Sequence, residues 1–208
     1  MNFQRKEIIK KYILDERLTP EERGERFEVA WDIWNYFDDI RGELALNNFI
    51  QPLKRKLEEV LPSSFEVSKF DFGSIYITKP EWRLDSEDRG IVAVAFERWN
   101  RNWSTVGLVK NDRFSVGQVE EKLRKKLSSK GLRTTHSWWL GYLPDPDLPK
   151  TLTAPLFEYY KSILVNPERV VEDCFNSLKR VLNVVQDEEV LELLDEFVEE
   201  RKRQLSKS

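Results

Sequence analysis

The sequence predicts an α+β fold, because helical and strand patterns occupy separate stretches of the chain. Apolar residues recur at helical spacing in the first third, alternate with polar residues in the middle, and return to helical spacing in the last third. Elements segregated in this way favour an α+β domain over a wound parallel sheet. We therefore expect one domain over residues 1–208, helical over 1–62, with a sheet and a helix over 63–150, and helical again over 151–208.

The first third carries three helical patterns. Apolar residues at helical spacing predict a first helix over about 3–14. Thr19 followed by Pro20 and two glutamates predicts the start of a second helix, since threonine caps helices, proline fits the first helical position and acids favour the positive end. A third pattern runs over 44–60, and Pro52 within it should kink or split the helix because proline has no N–H to donate.

The second helix carries a strong aromatic stripe, formed by Phe27, Trp31, Trp34 and Phe37. Aromatic residues that share one face of a helix usually pack into a core. We therefore expect this stripe to be buried.

The middle of the chain predicts a small, mainly antiparallel sheet of about four strands. Alternating apolar and polar residues indicate strands over about 65–72 and 75–78. The unbroken apolar run 91–96 indicates a central strand covered on both faces. Residues 104–109 are predicted to form its hairpin partner.

Residues 115–165 are predicted from their helix-capping residues and their prolines. A helix from about residue 115 should end at Gly131, a common helix cap. Residues 132–150, which contain three prolines, are predicted to be irregular. Residues 152–165 are predicted to form one helix, with Pro155 near its first turn.

The last two predicted helices resemble an antiparallel helical hairpin. Asn166 and Pro167 start the first of them, and Asp187 caps the second. The hairpin could pack on the sheet or form a homodimer. An exposed apolar stripe over 190–198 would favour the dimer.

Composition narrows the class of protein. The chain has 34 lysines and arginines against 37 acids and a net charge of −3, whereas a protein that coats DNA is usually basic. The single cysteine, Cys174, fits a reducing compartment. No signal peptide and no run of 18 apolar residues is present, so we expect a cytoplasmic protein without a membrane segment. The many charged residues and single methionine resemble the usage of thermophile proteins.

Familiar catalytic motifs are absent from the sequence. It contains no glycine-rich phosphate loop, and one histidine with one cysteine cannot assemble a zinc site. Cys174 lies on the apolar stripe of a helix and is read as inert core. His136 is either a loop histidine that hydrogen-bonds backbone or a base or ligand contact in an aromatic pocket.

The carboxylates of the middle region point to one enzyme class as an alternative, a metal-dependent nuclease. Asp85 and Glu97, with Asp71 as a further candidate, could hold Mg²⁺ at the end of the central strand. The usual pattern then needs a lysine two residues after the glutamate, where this chain has Trp99. Arg98 points to the opposite face of the strand. The simpler reading of Glu97 is a solvated strand end.

The strongest local feature is a group of tryptophans and arginines between residues 82 and 139. Tryptophan and arginine are enriched at binding hot spots and also stack on nucleic-acid bases. The alternative is that these rings, including Trp82, cover the sheet as core. The ligand-binding surface that we predict comprises Trp99, Trp103, Arg98, Arg101, His136, Trp138 and Trp139.

The segments IVAVAFERWNRNWSTVGLVKN (91–111) and HSWWLGYLPDP (136–146) resemble the region that follows the catalytic core in PD-(D/E)xK-like nuclease family proteins, which are often phage- or defence-associated. The resemblance spans about 65–185. It implies a free-standing accessory domain without the catalytic core, which binds nucleic acid or a partner protein. It also implies structural roles for Gly107, Trp138 and Trp139.

Three functions follow from these observations. The leading hypothesis is a non-enzymatic binding domain for nucleic acid or a partner protein, which needs no cofactor. The second is a divergent nuclease that uses Asp85, Glu97 and Mg²⁺. The third is a structural or assembly protein, which predicts buried tryptophans and no pocket near His136.

Overall fold

The computed structural model describes residues 10–13, 15–71, 73–84, 90–99, 103–110 and 116–207. The chain divides into two compact units, which are the N-terminal unit, Met1–Glu43, and the sheet unit, Leu44–Ser208. Each is described by itself, and the single-domain organisation stays a prediction. The α+β class is confirmed, because helices flank a five-stranded antiparallel sheet.

The N-terminal unit is dominated by helix α1, Pro20–Ala45. Its start is the predicted cap. The Thr19 N–H donates to the Glu22 carboxylate at 2.8 Å, and the Glu22 N–H donates to Thr19 Oγ1 at 3.2 Å. Residues 10–13 are helical, and the rest of the first predicted helix lies outside the described residues. The Arg26 guanidinium donates to the Tyr12 carbonyl at 2.9 Å and lies 4.8 Å from the Tyr12 ring centre.

The pattern predicted over 44–60 continues from α1 without a gap, so Pro52 changes the helix locally but does not split it. A π-helical turn, Leu46–Ile50, precedes helix α2, Gln51–Glu58, and Pro52 lies in the first turn of α2. Proline cannot donate to the carbonyl four residues earlier, and the wider π turn accommodates this missing bond. Both segments face the core of the sheet unit, where Phe49, Leu53 and Leu57 are buried.

The sheet contains five strands in the order of the chain, each antiparallel to the next. They are β1, Glu66–Phe70; β2, Ser74–Thr78; β3, Val92–Trp99; β4, Trp103–Lys110; and β5, Trp139–Tyr142. The apolar run 91–96 is the predicted central strand, and β4 is its predicted hairpin partner. The estimate of about four strands is corrected by β5, which lies in the segment predicted to be irregular.

The two faces of the sheet differ. Ile75, Val94 and Phe96 belong to the main hydrophobic core, to which helices α3, Gln118–Ser129, and α6, Pro167–Val185, also contribute. The opposite face carries a small cluster of Tyr76, Ala93, Ala95, Val109 and Trp139. The alternation of side chains along each strand produces this division.

The helix predicted over 152–165 is broken. It forms a short helix α4, Lys150–Thr153, and a second helix α5, Leu156–Val165. The break falls at Ala154, whose backbone is extended with φ −61° and ψ 150°. The cause is Pro155, since the residue before a proline avoids the helical region.

The C-terminal stripe is buried inside the chain. Helix α7, Glu188–Leu205, buries Val190, Leu194, Phe197 and Val198, and packs more extensively on α3 than on α6. Ion pairs join Lys126 to Glu189 and Lys130 to Asp187 along this contact. The exposed stripe that would have favoured a homodimer is therefore missing.

Among the helices of the described residues, none is long and apolar enough to cross a membrane.

Candidate binding cleft

A cleft of about 510 Å³ opens beside β4 and β5. We call it the aromatic cleft. Its lining combines three aromatic rings with histidine, arginine, aspartate and hydroxyl groups: Ser104, Thr105, Arg133, His136, Ser137, Trp138, Trp139, Tyr142, Leu143 and Asp145. The cleft has the size range of ligand pockets, roughly 300–1,000 Å³.

The three rings occupy different depths. Trp139 is 3% exposed and packs with Ala93, Ala95 and Val109 under the cleft. Trp138 and Tyr142 are half-buried and line its wall. Trp139 therefore contributes a fixed floor, and the other two rings are the accessible ones.

His136 is part of the local turn. Its Nδ1 accepts a hydrogen bond from the Trp138 N–H at 3.1 Å, and its ring meets the Trp138 ring edge to face at 6.3 Å. This is the backbone-bonded loop histidine of the first reading, and it also lines the cleft. The hydrogen bond holds the Trp138 backbone, so His136 orients the wall of the cleft.

One arginine on α3 anchors the loop that carries these residues. Nη1 of Arg124 donates to the carbonyl oxygens of Thr134 at 3.0 Å, His136 at 3.0 Å and Trp139 at 2.9 Å. Nη1 carries two N–H groups, so at least one of them is shared between two of these converging carbonyls, while Nε and Nη2 face Glu120. We call this arrangement the Arg124 clamp.

The clamp rests on a buried carboxylate. Glu120 accepts from Arg124 at 2.8 and 2.9 Å and from the Lys110 ammonium at 3.0 and 3.1 Å. Burial alone would raise the pKa of Glu120, but the hydrogen bonds from Lys110 and Arg124 hold it below its ordinary value. The Glu120 carboxylate is therefore ionised at neutral pH, and its hydrogen bonds connect the loop to α3 and β4.

A glycine brings β5 close to β4. A Cβ atom on Gly107 would lie 2.4 Å from the Gly141 carbonyl oxygen and 2.6 Å from the Tyr142 Cα. Only glycine permits this approach, which accompanies a register shift after Leu108. Gly107 thus has a structural role in placing Tyr142 at the cleft.

The charges at the cleft are balanced. Arg133 and Asp145 are both exposed and contribute one charge of each sign. Nucleic-acid grooves, by contrast, are lined by an excess of lysine and arginine. The described lining is therefore aromatic, with charges of both signs rather than an excess of basic residues.

Arg98 does not belong to the cleft. It lies on the face of the sheet that carries the main core, against Tyr159. There it donates to the Oγ of Ser104, which is itself a cleft-lining residue, at 2.9 Å and to the carbonyls of Leu152 at 2.9 Å and Ala154 at 2.8 Å. Its guanidinium lies 3.8 Å from the Tyr159 ring centre, and burial lowers its pKa. Arg98 therefore holds carbonyls at the break that Pro155 introduces.

Glu97 is buried, with 3% exposure, so the solvated strand-end reading is wrong. It lies between Ser74 on β2 and Thr105 on β4, and neighbouring strands on both sides exclude water. The Tyr76 hydroxyl donates to its carboxylate at 2.5 Å. A buried carboxylate needs such a donor, and tyrosine supplies it.

Several predicted residues have no described side chain. Trp99 and Trp103 pair across β3 and β4, but only their backbones are described. Arg101 and Asp85 lie outside the described residues. Within the described ranges no group of three or more metal-binding side chains occurs. The Mg²⁺ site therefore stays a prediction.

Two predictions about individual core residues are confirmed. Cys174 is fully buried, and burial raises the pKa of its thiol. Trp82 is core, with 1% exposure, and its Nε1 donates to Asp195 at 2.6 Å. Of the five grouped tryptophans, Trp82 and Trp139 thus follow the core reading.

The binding surface predicted from the sequence omitted Tyr142, Arg133 and Arg124, although Arg133 belongs to the tryptophan–arginine group. The segment WLGY of β5 places Tyr142 three residues after Trp139, and an alternating strand puts such residues on opposite faces. A register shift between β4 and β5 changes that expectation. Arg124 carried no signal, since it sits in a run of mixed charges typical of a solvated helix face.

The fold and cleft define a five-stranded antiparallel α+β protein with an aromatic cleft beside its last strand. Comparison with family models, curated proteins and solved structures finds no match to this chain.

Proposed function

We propose that the sheet unit is a non-enzymatic protein-binding module whose aromatic cleft receives an apolar or aromatic anchor side chain of a partner protein. The observation that carries this proposal is a cleft of about 510 Å³ with two partly exposed rings and balanced charges. Tryptophan, tyrosine and arginine dominate protein-binding hot spots, where rings occupy largely desolvated pockets.

Preorganisation supports the proposal. The Arg124 clamp fixes three carbonyls of the loop, and the His136 side chain holds the Trp138 backbone. A wall that is ordered before binding loses less conformational entropy when a partner docks. The lone, buried thiol of Cys174 is consistent with the cytoplasmic location that we propose for this module.

Balanced charge favours protein over nucleic acid as the partner. Phosphate backbones require several neutralising cations, whereas the described lining combines the cation Arg133 with the anion Asp145. The resemblance to the accessory region of PD-(D/E)xK-like proteins is compatible with either partner. A nuclease role stays a second hypothesis that depends on Asp85, which lies outside the described residues.

The test uses the full chain with ¹⁵N-labelled tryptophan. N-acetyl amides of tryptophan, tyrosine, leucine and lysine are titrated while the indole N–H resonances are recorded. We expect the aromatic amides to shift the Trp138 resonance, assigned from Trp138→Phe, more than the lysine amide does. Arg124→Ala should weaken the response by loosening the loop, whereas the matched variant Lys125→Ala, an exposed neighbour, should not.

The same samples test the competing functions. Labelled single- and double-stranded oligonucleotides are added with and without Mg²⁺, and strand length is followed. Shifts produced by oligonucleotides alone and weakened by salt would replace the protein partner with nucleic acid. Cleavage that Glu97→Ala abolishes would instead establish the nuclease, and indole resonances unmoved by every amide would refute the anchor pocket.

A further inference from the structure

Helix α1 presents a continuous apolar seam to solvent. Val29, Ile33, Tyr36 and Ile40 are 50%, 54%, 58% and 53% exposed. Their spacing of four, three and four residues places them along one line of the helix. We call these four residues the α1 seam.

The spacing is that of the core positions in a coiled coil. Apolar residues that alternate three and four apart form the narrow stripe along which a second helix packs. Each α-helical residue rises 1.5 Å, so a seam of 12 residues is roughly 17 Å long. A partner helix of about three turns would cover it.

An acidic row flanks one side of the seam. Glu25, Asp32 and Asp39 are exposed and lie seven residues apart, each directly before a core position of the heptad. Residues at this position face the flank of the partner helix and decide which partner is accepted. The acidic row therefore favours a partner helix with basic side chains at the facing positions.

The acidic row opposes antiparallel pairing of two copies of this chain and adds no attraction to a parallel pair. In a parallel pair it would face positions that are Ala30, Phe37 and Leu44 in the sequence, which offer no positive charge. In an antiparallel pair it would face the acidic row of the second copy. Like charges across such an interface are destabilising.

We propose that the α1 seam docks an amphipathic helix of a partner protein whose apolar stripe is flanked by lysine or arginine. The four apolar residues supply burial, and the three acids select a basic flank. This surface belongs to the N-terminal unit and is independent of the aromatic cleft of the sheet unit.

The experiment uses two synthetic helical peptides of four heptads. Both carry isoleucine and leucine at the core positions; the basic peptide has lysine at all flanking positions and its twin has glutamate. Fluorescence anisotropy with the full chain measures both dissociation constants. We expect the basic peptide to bind at least about tenfold tighter, with the difference shrinking near 1 M salt, where the Debye length is about 3 Å.

Two variants locate the binding. The triple change Glu25→Lys, Asp32→Lys and Asp39→Lys should reverse the peptide preference. A control with the same change in net charge, at exposed acids of the sheet unit, should retain it: Glu59→Lys, Glu192→Lys and Glu196→Lys. Ile33→Asp should abolish binding of either peptide, with the far-ultraviolet circular dichroism of the chain unchanged.

The contrary results are equally specific. Equal affinity for the two peptides, or no binding of the basic one, overturns the proposal. So does sedimentation of the chain as a dimer that Ile33→Asp converts to a monomer, because a second copy would then be the occupant. Failure of the cleft titration would leave this result untouched, since the two tests read different surfaces.

Discussion

Helices α1 and α7 both contain many apolar residues, but these gather on one face of α7 and spread around α1. In α7, Leu194 and Phe197 are fully buried within the sheet unit. In α1, Phe27 and Trp31 are 55% and 56% exposed, so the expectation that they are core is wrong, while the side chains of Trp34 and Phe37 lie outside the described part of the chain. The two exposed rings stack on each other instead, with centres 6.2 Å apart.

The difference shows what the hydrophobic spacing along a helix can and cannot predict. A hydrophobic spacing of 3.6 residues identifies which face of a helix would be buried, but the covering surface is a property of the rest of the fold. For α7 that surface is α3, and the ion pairs of Lys126 and Lys130 lie along the exposed edge of the contact. For α1 the described side chains of the α1 seam, and those of Phe27 and Trp31, are at least half exposed.

The largest effect that we predict comes from removing a buried side chain of α7. Phe197→Ala should lower the free energy of unfolding by about 3–5 kcal/mol, since it removes a fully buried ring and leaves a cavity. Urea denaturation followed by tryptophan fluorescence measures this loss. Leu205→Ala, at 36% exposure near the end of the same helix, is the matched control and should cost far less. Equal losses for both variants would contradict the burial of the α7 stripe.

The next effect concerns the charged network under the cleft. Glu120→Ala should cost about 3 kcal/mol, because Lys110 and Arg124 would lose the carboxylate that compensates their buried charges. Urea denaturation again gives the value. Glu121→Ala, the exposed neighbour on α3, should stay within about 0.5 kcal/mol. A small loss for Glu120→Ala would show that water replaces the carboxylate.

The same network predicts a pH dependence. The pKa of Glu120 is lower in the folded protein than its ordinary value of 4.5. The unfolded chain therefore takes up the proton first, so the stabilisation is complete above pH 4.5 and is lost as pH falls through the folded value. We compare the free energy of unfolding of the unaltered chain with that of Glu120→Gln by urea denaturation between pH 7 and 3. The unaltered chain should be the more stable of the two, and the difference should shrink as the pH falls below 4.5. A difference that is constant down to pH 3 would contradict the assignment.

Much of the fold could be predicted because local signals were strong. Thr19 and Pro20 start α1, the run 91–96 forms the central strand, and Gly131, with φ +88°, ends α3. The failures arose where long-range contacts decide the structure. Strand β5 is short and depends on the close approach at Gly107, which no local pattern reveals.

The site was predicted only in part for the same reason. His136, Trp138 and Trp139 do lie together at the cleft, because they are neighbours in the chain. Arg98 was grouped with them by sequence distance, but strand alternation places it on the other face of the sheet. Arg124 holds the loop through backbone carbonyls. Every residue type has a backbone carbonyl, so the sequence of the loop cannot reveal such a contact.

The smallest predicted effect sharpens the comparison between the two helices. Ile33→Ala removes an apolar side chain of the same class as those buried in α7, but the residue is 54% exposed. We expect the free energy of unfolding to change by no more than about 0.5 kcal/mol, because little area leaves contact with the protein. Thermal and urea denaturation, with Leu194→Ala as the buried counterpart, measure the contrast. A loss of several kcal/mol at Ile33 would mean that this chain itself covers the α1 seam, whereas a negligible loss combined with lost binding of the basic peptide separates recognition from folding.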